Sequence, residues 1–200
     1  MAERLGYAFL DTGAMYRAAT WHAMQQDPAL RRDDSLVEAA TSMRLELREE
    51  AGRQVVRVNG EDVTLAIRTP EVTRMIYRIA DHPGVRARLV KLQQEWAAQG
   101  PTVAEGRDMG TVVFPEARCK IFLDASIEER TQRRFAELRA RGVTADAAAL
   151  REEIALRDAK DCAREVGPLR CAADAFRLDT TGKTIEQVVD EIVALAEASA

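Results

Sequence analysis

Thr102-Val103-Ala104-Glu105-Gly106-Arg107-Asp108-Met109-Gly110-Thr111-Val112-Val113-Phe114 runs from an apolar stretch, through a charged centre carrying glycines, into a second apolar stretch that stops at Pro115. A strand ending in a ligand-binding loop has this form. In open α/β sheets ligands sit at the carboxyl ends of the strands, and glycine permits close approach of the backbone. A strand followed by a salt-bridged turn has the same form, so the meaning of the segment depends on its surroundings.

Strand and helix patterns alternate on both sides of it. Met1 to Leu5 reads as the end of a helix closed by Gly6, and Tyr7-Ala8-Phe9-Leu10 as a short buried strand. After the turn Asp11-Thr12-Gly13, helical spacing runs from Ala14 to Gln25. Ser35 with Glu38 predicts a capping box for a helix through Met43. Leu45, Leu47, Val56 and Val58 then alternate with polar residues around a turn at Ala51-Gly52-Arg53, and Asn59-Gly60 signals a hairpin. Helices are expected over 70–80 and 85–98, with Pro83 breaking the chain between them. Downstream, Lys120-Ile121-Phe122-Leu123-Asp124 reads as a strand buried on both faces. Ser126 with Glu129 opens a helix bearing Arg130, Arg133, Arg134, Arg139 and Arg141, and a further helix spans 146–160. Phe176-Arg177-Leu178-Asp179 is a last strand before a helix over 185–198. This alternation, with one antiparallel insertion, predicts an α/β fold built on a parallel sheet with an accessory lobe.

Composition narrows the function. The 200 residues, 46% hydrophobic and 31% charged, suit one domain with a small inserted lobe. A net charge of −4 argues against a general nucleic-acid or membrane surface, so an anion site must come from local arginines. Cys119, Cys162 and Cys171 are odd in number and widely spaced, and with two histidines the chain offers no metal cage. Reduced thiols, no signal-peptide pattern and no bilayer-length apolar run lead to the expectation of a cytoplasmic protein.

Arginine is where the sequence concentrates. Arg17 lies one helical turn beyond Thr12 and Gly13, Arg86 sits near a helix start, and Arg107 and Asp108 sit at a strand end. Arg157, Asp161 and Arg164 are spaced i, i+4, i+7, and Arg130 and Arg134 share a helix face. A guanidinium matches phosphoryl oxygens two at a time; solvated ion-pair ladders use the same spacing. Thr180-Thr181-Gly182-Lys183-Thr184 imitates the end of a phosphate-binding loop, but the first glycine of that motif would fall at Arg177 inside a strand. A turn in which Thr184 and Gln187 cap the last helix is the simpler reading.

Together, Asp11-Thr12-Gly13-Ala14-Met15-Tyr16-Arg17, Glu105 through Pro115, Lys120 through Ser126, and Arg157-Asp158 with Asp161 closely resemble the bacterial cytidylate kinases, in order and along essentially the whole chain. The resemblance implies a P-loop nucleoside monophosphate kinase fold with helices on both faces of a parallel sheet. It places an inserted monophosphate-binding lobe at 39–79 and a lid at about 130–165. The implied activity is transfer of the ATP γ-phosphoryl group to CMP or dCMP, with Mg²⁺, by a monomer. Arg17, Arg107 and Arg157 would hold the phosphoryl groups, with Arg130, Arg134 and Arg164 in or beside the lid. Arg86 and Asp108 would read cytosine, Asp161 would contact the sugar, and Thr12 and Tyr16 would complete the substrate set.

Two departures qualify the match. Tyr77 stands where similar kinases often carry a serine that helps read the base. Family members also place a central strand and a glycine-rich ATP loop before a helix whose end resembles Met1 to Gly6. The expectation is therefore a truncated chain with Met1 an internal or misassigned start, lacking the ATP loop and first central strand and impaired in turnover. The alternative is a non-catalytic nucleotide-binding or partner-binding protein.

Overall fold

Asp11 both ends a strand and starts a helix: its carboxylate accepts a hydrogen bond from the Ala14 amide at 2.8 Å. The computed structural model in which this is seen describes residues 1–50, 53–140 and 142–199. The expected turn at Ala51-Gly52 and the expected helical Arg141 lie outside them. The chain is mixed α/β and divides into two units, 6–106 with Ala2, and 107–200 with Met1 and 3–5. A four-residue helix, α1 (Ala2–Leu5), ends at Gly6, whose φ of +65° is the left-handed conformation expected of it.

In the first unit, β1 (Ala8–Asp11) leads directly into α2 (Thr12–Gln26), and α3 (Asp33–Ser42) follows. Then come β2 (Leu45–Glu50), β3 (Arg53–Val58) and β4 (Glu61–Asp62), the expected antiparallel meander. Asn59 and Gly60, at φ of 54° and 87°, make the turn between the last two strands, both residues left-handed as a tight hairpin requires. α4 (Pro70–Ala80) and α5 (Pro83–Ala97) precede β5 (Thr102–Glu105), which pairs parallel with β1 from Ala8↔Thr102 to Asp11↔Glu105. The apolar faces of α2, α3, α4 and α5 meet β3 in one core containing Leu30, Leu36, Val56, Ile67, Ile79 and Leu89.

In the second unit, β6 (Ile121–Asp124) pairs parallel with β7 (Phe176–Asp179). Between them lie α6 (Ile127–Ala140) and α7 (Ala147–Ala163), and α8 (Ile185–Ala198) ends the chain. Thr184 and Gln187 form the expected reciprocal capping box at the start of α8.

The parallel strands pair two by two, as β1–β5 and β6–β7. Several local expectations change. Two residues expected in buried strands are exposed: Tyr7, which precedes β1, by 43%, and Leu123 of β6 by 54%. Ser35 is not a cap: α3 begins at Asp33, and the Ser35 hydroxyl donates to the Arg32 carbonyl at 2.6 Å within the first turn. Asp33 and Asp34 instead favour that helix end through the macrodipole. Pro83 does not stand outside the helix; it occupies the first turn of α5, where a missing amide costs nothing, while His82 caps. At α6 the box is half formed: Ser126 accepts from the Glu129 amide, but the Glu129 carboxylate turns to Arg133.

Candidate functional site

The first unit gathers its site residues around α2. Thr12, fully buried at the start of the helix, donates to the Glu105 carbonyl at 2.6 Å and so fastens α2 to the end of β5. One turn later the Tyr16 ring lies under the Arg86 guanidinium, 5.6 Å from ring centroid to Cζ. Arg86, buried on α5, donates through Nη1 to the carbonyl of Ala80, the last residue of α4, at 3.0 Å. Arg17 reaches the other end of that helix: its Nη1 donates to Thr73 Oγ1 at 2.8 Å and approaches the Ile67 carbonyl at 3.4 Å. Thr12, Tyr16, Arg17 and Arg86 are thus brought together by α2, α4 and α5.

At the strand ends in the same unit, Asp11 and Glu105 are register partners, and Arg68 Nη2 lies 3.6 Å from Asp11 Oδ2. Desolvation, then the Asp11 charge, pushes the Glu105 carboxyl above its ordinary value, with Arg68 opposing.

The second unit builds its cluster on one carboxylate. Asp161, near the end of α7, has a side chain only 4% exposed. Its Oδ1 accepts from Arg164 Nη2 at 2.8 Å, while Arg107 Nη1 and Arg157 Nε lie 3.3 Å and 4.0 Å from Oδ2. Three cations around one anion leave a local excess of positive charge, which an incoming phosphate would neutralise. Burial, then repulsion from Arg107, holds the Arg157 guanidinium below its ordinary pKa, with Asp161 opposing.

Asp108 follows Arg107 directly but is buried in a different setting. Its carbonyl accepts the amides of Thr111, Val112 and Val113 at 3.3, 2.9 and 3.3 Å, opening a π-helical turn over Met109–Val113. Such wide turns recur at functional sites. At Gly110 within it a Cβ would approach Lys120 Cδ to 3.2 Å, a tight contact that the lysine side chain would have to give way to.

Two expected lid arginines diverge. Arg130 pairs with Asp158 across the α6–α7 hairpin, whereas Arg134 turns to Glu137 on its own helix at 2.7 Å and does not join the Asp161 cluster. Sequence reasoning also missed Thr73 and Ala80, the anchors of Arg17 and Arg86; both contacts are backbone or hydroxyl acceptors supplied by another helix, which no local pattern announces. Lys183 pairs with Glu191 at 2.7 Å, so the 180–184 tract is a capped turn and not a phosphate loop.

Among the described residues no group of three or more His, Cys, Asp or Glu side chains could hold a metal ion. Asp11 and Glu105, register partners at the strand ends, offer two carboxylates, fewer than a protein cage for Mg²⁺ would use. No described helix is long and apolar enough to cross a membrane.

Comparison with known proteins gives the family. The family model described as cytidylate kinase matches residues 1–198. A cytidylate kinase of Geobacillus sp. (strain WCH70) is 48% identical over 98% of this chain and 87% of its own length. Cytidylate kinases of Bacillus cytotoxicus and Bacillus cereus (strain ATCC 10987) are 46% and 44% identical over the same shares. With a family model spanning nearly every residue and relatives this similar, the chain belongs to the cytidylate kinase family.

Proposed function

We propose that the protein is a nucleoside monophosphate kinase that passes the ATP γ-phosphoryl group to CMP or dCMP. The observation that carries this reading is the step from Arg107 to Asp108. Arg107 joins the cationic cluster at Asp161, while the very next side chain is a buried carboxylate. One residue suits a phosphate and its neighbour suits the exocyclic amine of cytosine, which donates where uracil offers only an acceptor.

The remaining roles follow from chemistry. Arg17, Arg107 and Arg157 hold phosphoryl oxygens, with Arg164 and Arg130 adding positive charge. Arg86 satisfies the ring nitrogen and carbonyl of cytosine, its guanidinium held by Tyr16 and Ala80. Asp161 orients the arginines and accepts from the sugar. The attacking phosphate oxygen is already ionised, so no general base is needed and catalysis reduces to placing charge. ATP supplies the phosphoryl group together with Mg²⁺; Asp11 and Glu105 are the side chains that would face that ion's water shell. Residues 39–79 act as the monophosphate-binding lobe and about 130–165 as the lid of a cytoplasmic, monomeric enzyme.

Isothermal titration with CMP, dCMP and UMP, followed by ATP-dependent turnover, tests the proposal. Binding of CMP over UMP is the expected result, and equal or absent binding of both overturns it. A second reading has one specific observation in its favour: residues 1–200 contain no glycine-rich loop of the form G-x-x-x-x-G-K-[ST]. On that reading these residues by themselves bind CMP without turning it over, and measurable ADP release would exclude it.

A further inference from the structure

Arg17 and Arg86 are anchored to opposite ends of one helix, α4. Arg17 donates to Thr73 at 2.8 Å, and Arg86 to the Ala80 carbonyl at 3.0 Å. Thr73, Tyr77 and Ala80 stand at i, i+4 and i+7, so they share a helix face, and the run from first to last rises about 10 Å along the axis. That is the length scale of a nucleoside monophosphate. The side chain midway along the face belongs to Tyr77, a residue 54% exposed on an otherwise strongly amphipathic helix. The folded core makes little use of this ring, and its position between the two anchors gives it a place where a pyrimidine and its sugar would lie.

We infer that Tyr77 is a further nucleoside-binding residue of the acceptor site, presenting an aromatic wall to the nucleoside of CMP. The inference rests on the roles proposed for Arg17 with phosphate and Arg86 with the base. Tyr77 adds what neither supplies: a flat apolar surface against which the nucleoside packs, indifferent to the hydrogen-bonding edge of the base. Tyr77 therefore strengthens CMP and UMP alike, leaving discrimination between them to Asp108 and Arg86. It contributes nothing to binding of a bare phosphate.

Isothermal titration of the parent chain and of Tyr77→Phe, Tyr77→Leu and Tyr77→Ala with CMP, UMP and inorganic phosphate tests this. Tyr77→Ala is expected to weaken CMP about tenfold, and UMP by the same factor, with phosphate unchanged. Tyr77→Phe is expected to stay within about twofold of the parent and Tyr77→Leu to fall between. Nitration of Tyr77 by tetranitromethane, followed by mass spectrometry of its peptide, is expected to slow when CMP is present. A parent that binds CMP while Tyr77→Ala binds it equally well overturns this inference alone. A parent that binds no CMP overturns the proposed function and this inference with it. Loss of CMP and phosphate binding in equal proportion would mean that the ring serves the fold, which also overturns it.

Discussion

Arg107 Nη1 lies 3.3 Å from Asp161 Oδ2, joining the loop after β5 to the end of α7. Arg157 and Arg164 approach the same carboxylate, which is nearly sealed from water. Asp161 is thus the element that lets three guanidinium groups occupy one neighbourhood, and removing its charge exposes their mutual repulsion.

Asp161→Asn is expected to lower stability by about 2 kcal/mol, somewhat less than breaking a fully buried ion pair costs, because the Arg107 and Arg157 side chains retain contact with solvent. Urea denaturation measures the loss. Added sulfate should restore the variant more than it stabilises the parent, since an anion replaces the missing charge. An unchanged midpoint would show that Asp161 does not hold the cluster.

Asp108→Ala separates binding from folding. The backbone carbonyl of Asp108 holds the π-turn, and the substitution leaves that carbonyl in place. Affinity for CMP should fall about tenfold to a hundredfold, the worth of a hydrogen bond to a charged group, with little change for UMP. CMP affinity and kinetics equal to those of the parent would refute the assignment.

Glu105 makes stability fall as pH rises. Its folded pKa is raised, chiefly by desolvation, so between the unfolded value near 4.5 and the higher folded value the native state binds more protons than the unfolded one. The contribution is fully present below the unfolded value and is lost as pH climbs through the folded one. Glu105→Gln should therefore gain in urea midpoint relative to the parent from pH 4 to pH 7. Solvent contact at the side chain keeps the gain small. A parent-to-variant difference that does not change with pH would contradict the assignment.

Thr184→Ala is expected to cost about 1 kcal/mol, the usual worth of a helix cap, and to leave CMP affinity untouched. A large loss of nucleotide binding without a loss of stability would return the 180–184 tract to consideration as a phosphate loop.

The sequence disclosed those features that depend on near neighbours. The Asn59-Gly60 hairpin needs two left-handed residues, the α8 box needs Thr184 and Gln187 three apart, and Arg157 and Asp161 need only helical spacing to meet, whereas Arg164, just past the end of α7, reaches Asp161 from non-helical backbone. Contacts between distant segments left no such trace. Nothing near Arg86 announces the Ala80 carbonyl or the Tyr16 ring, and nothing near Arg17 announces Thr73. Ser35 misled because two acidic residues before it already favoured a helix start, and the identical spacing of Ser126 and Glu129 yielded half a box once Arg133 competed for the carboxylate. The family resemblance reached further than the local patterns in one respect, the family itself, because it draws on the order of several motifs along the chain and not on any single spacing.

The turn that begins at Asp108 also bears on how tightly a small ligand can be held. Three successive amides converge on one carbonyl, and the φ and ψ of Asp108, −127° and 25°, are thereby fixed before anything binds. A loop residue that recognises a base ordinarily surrenders its backbone freedom at the moment of association, and affinity suffers by that amount. In the role proposed for Asp108 that freedom is lost on folding. The entropy of association then falls mainly on the nucleotide, and truncating the π-turn should weaken CMP by slowing its capture as well as by hastening its release.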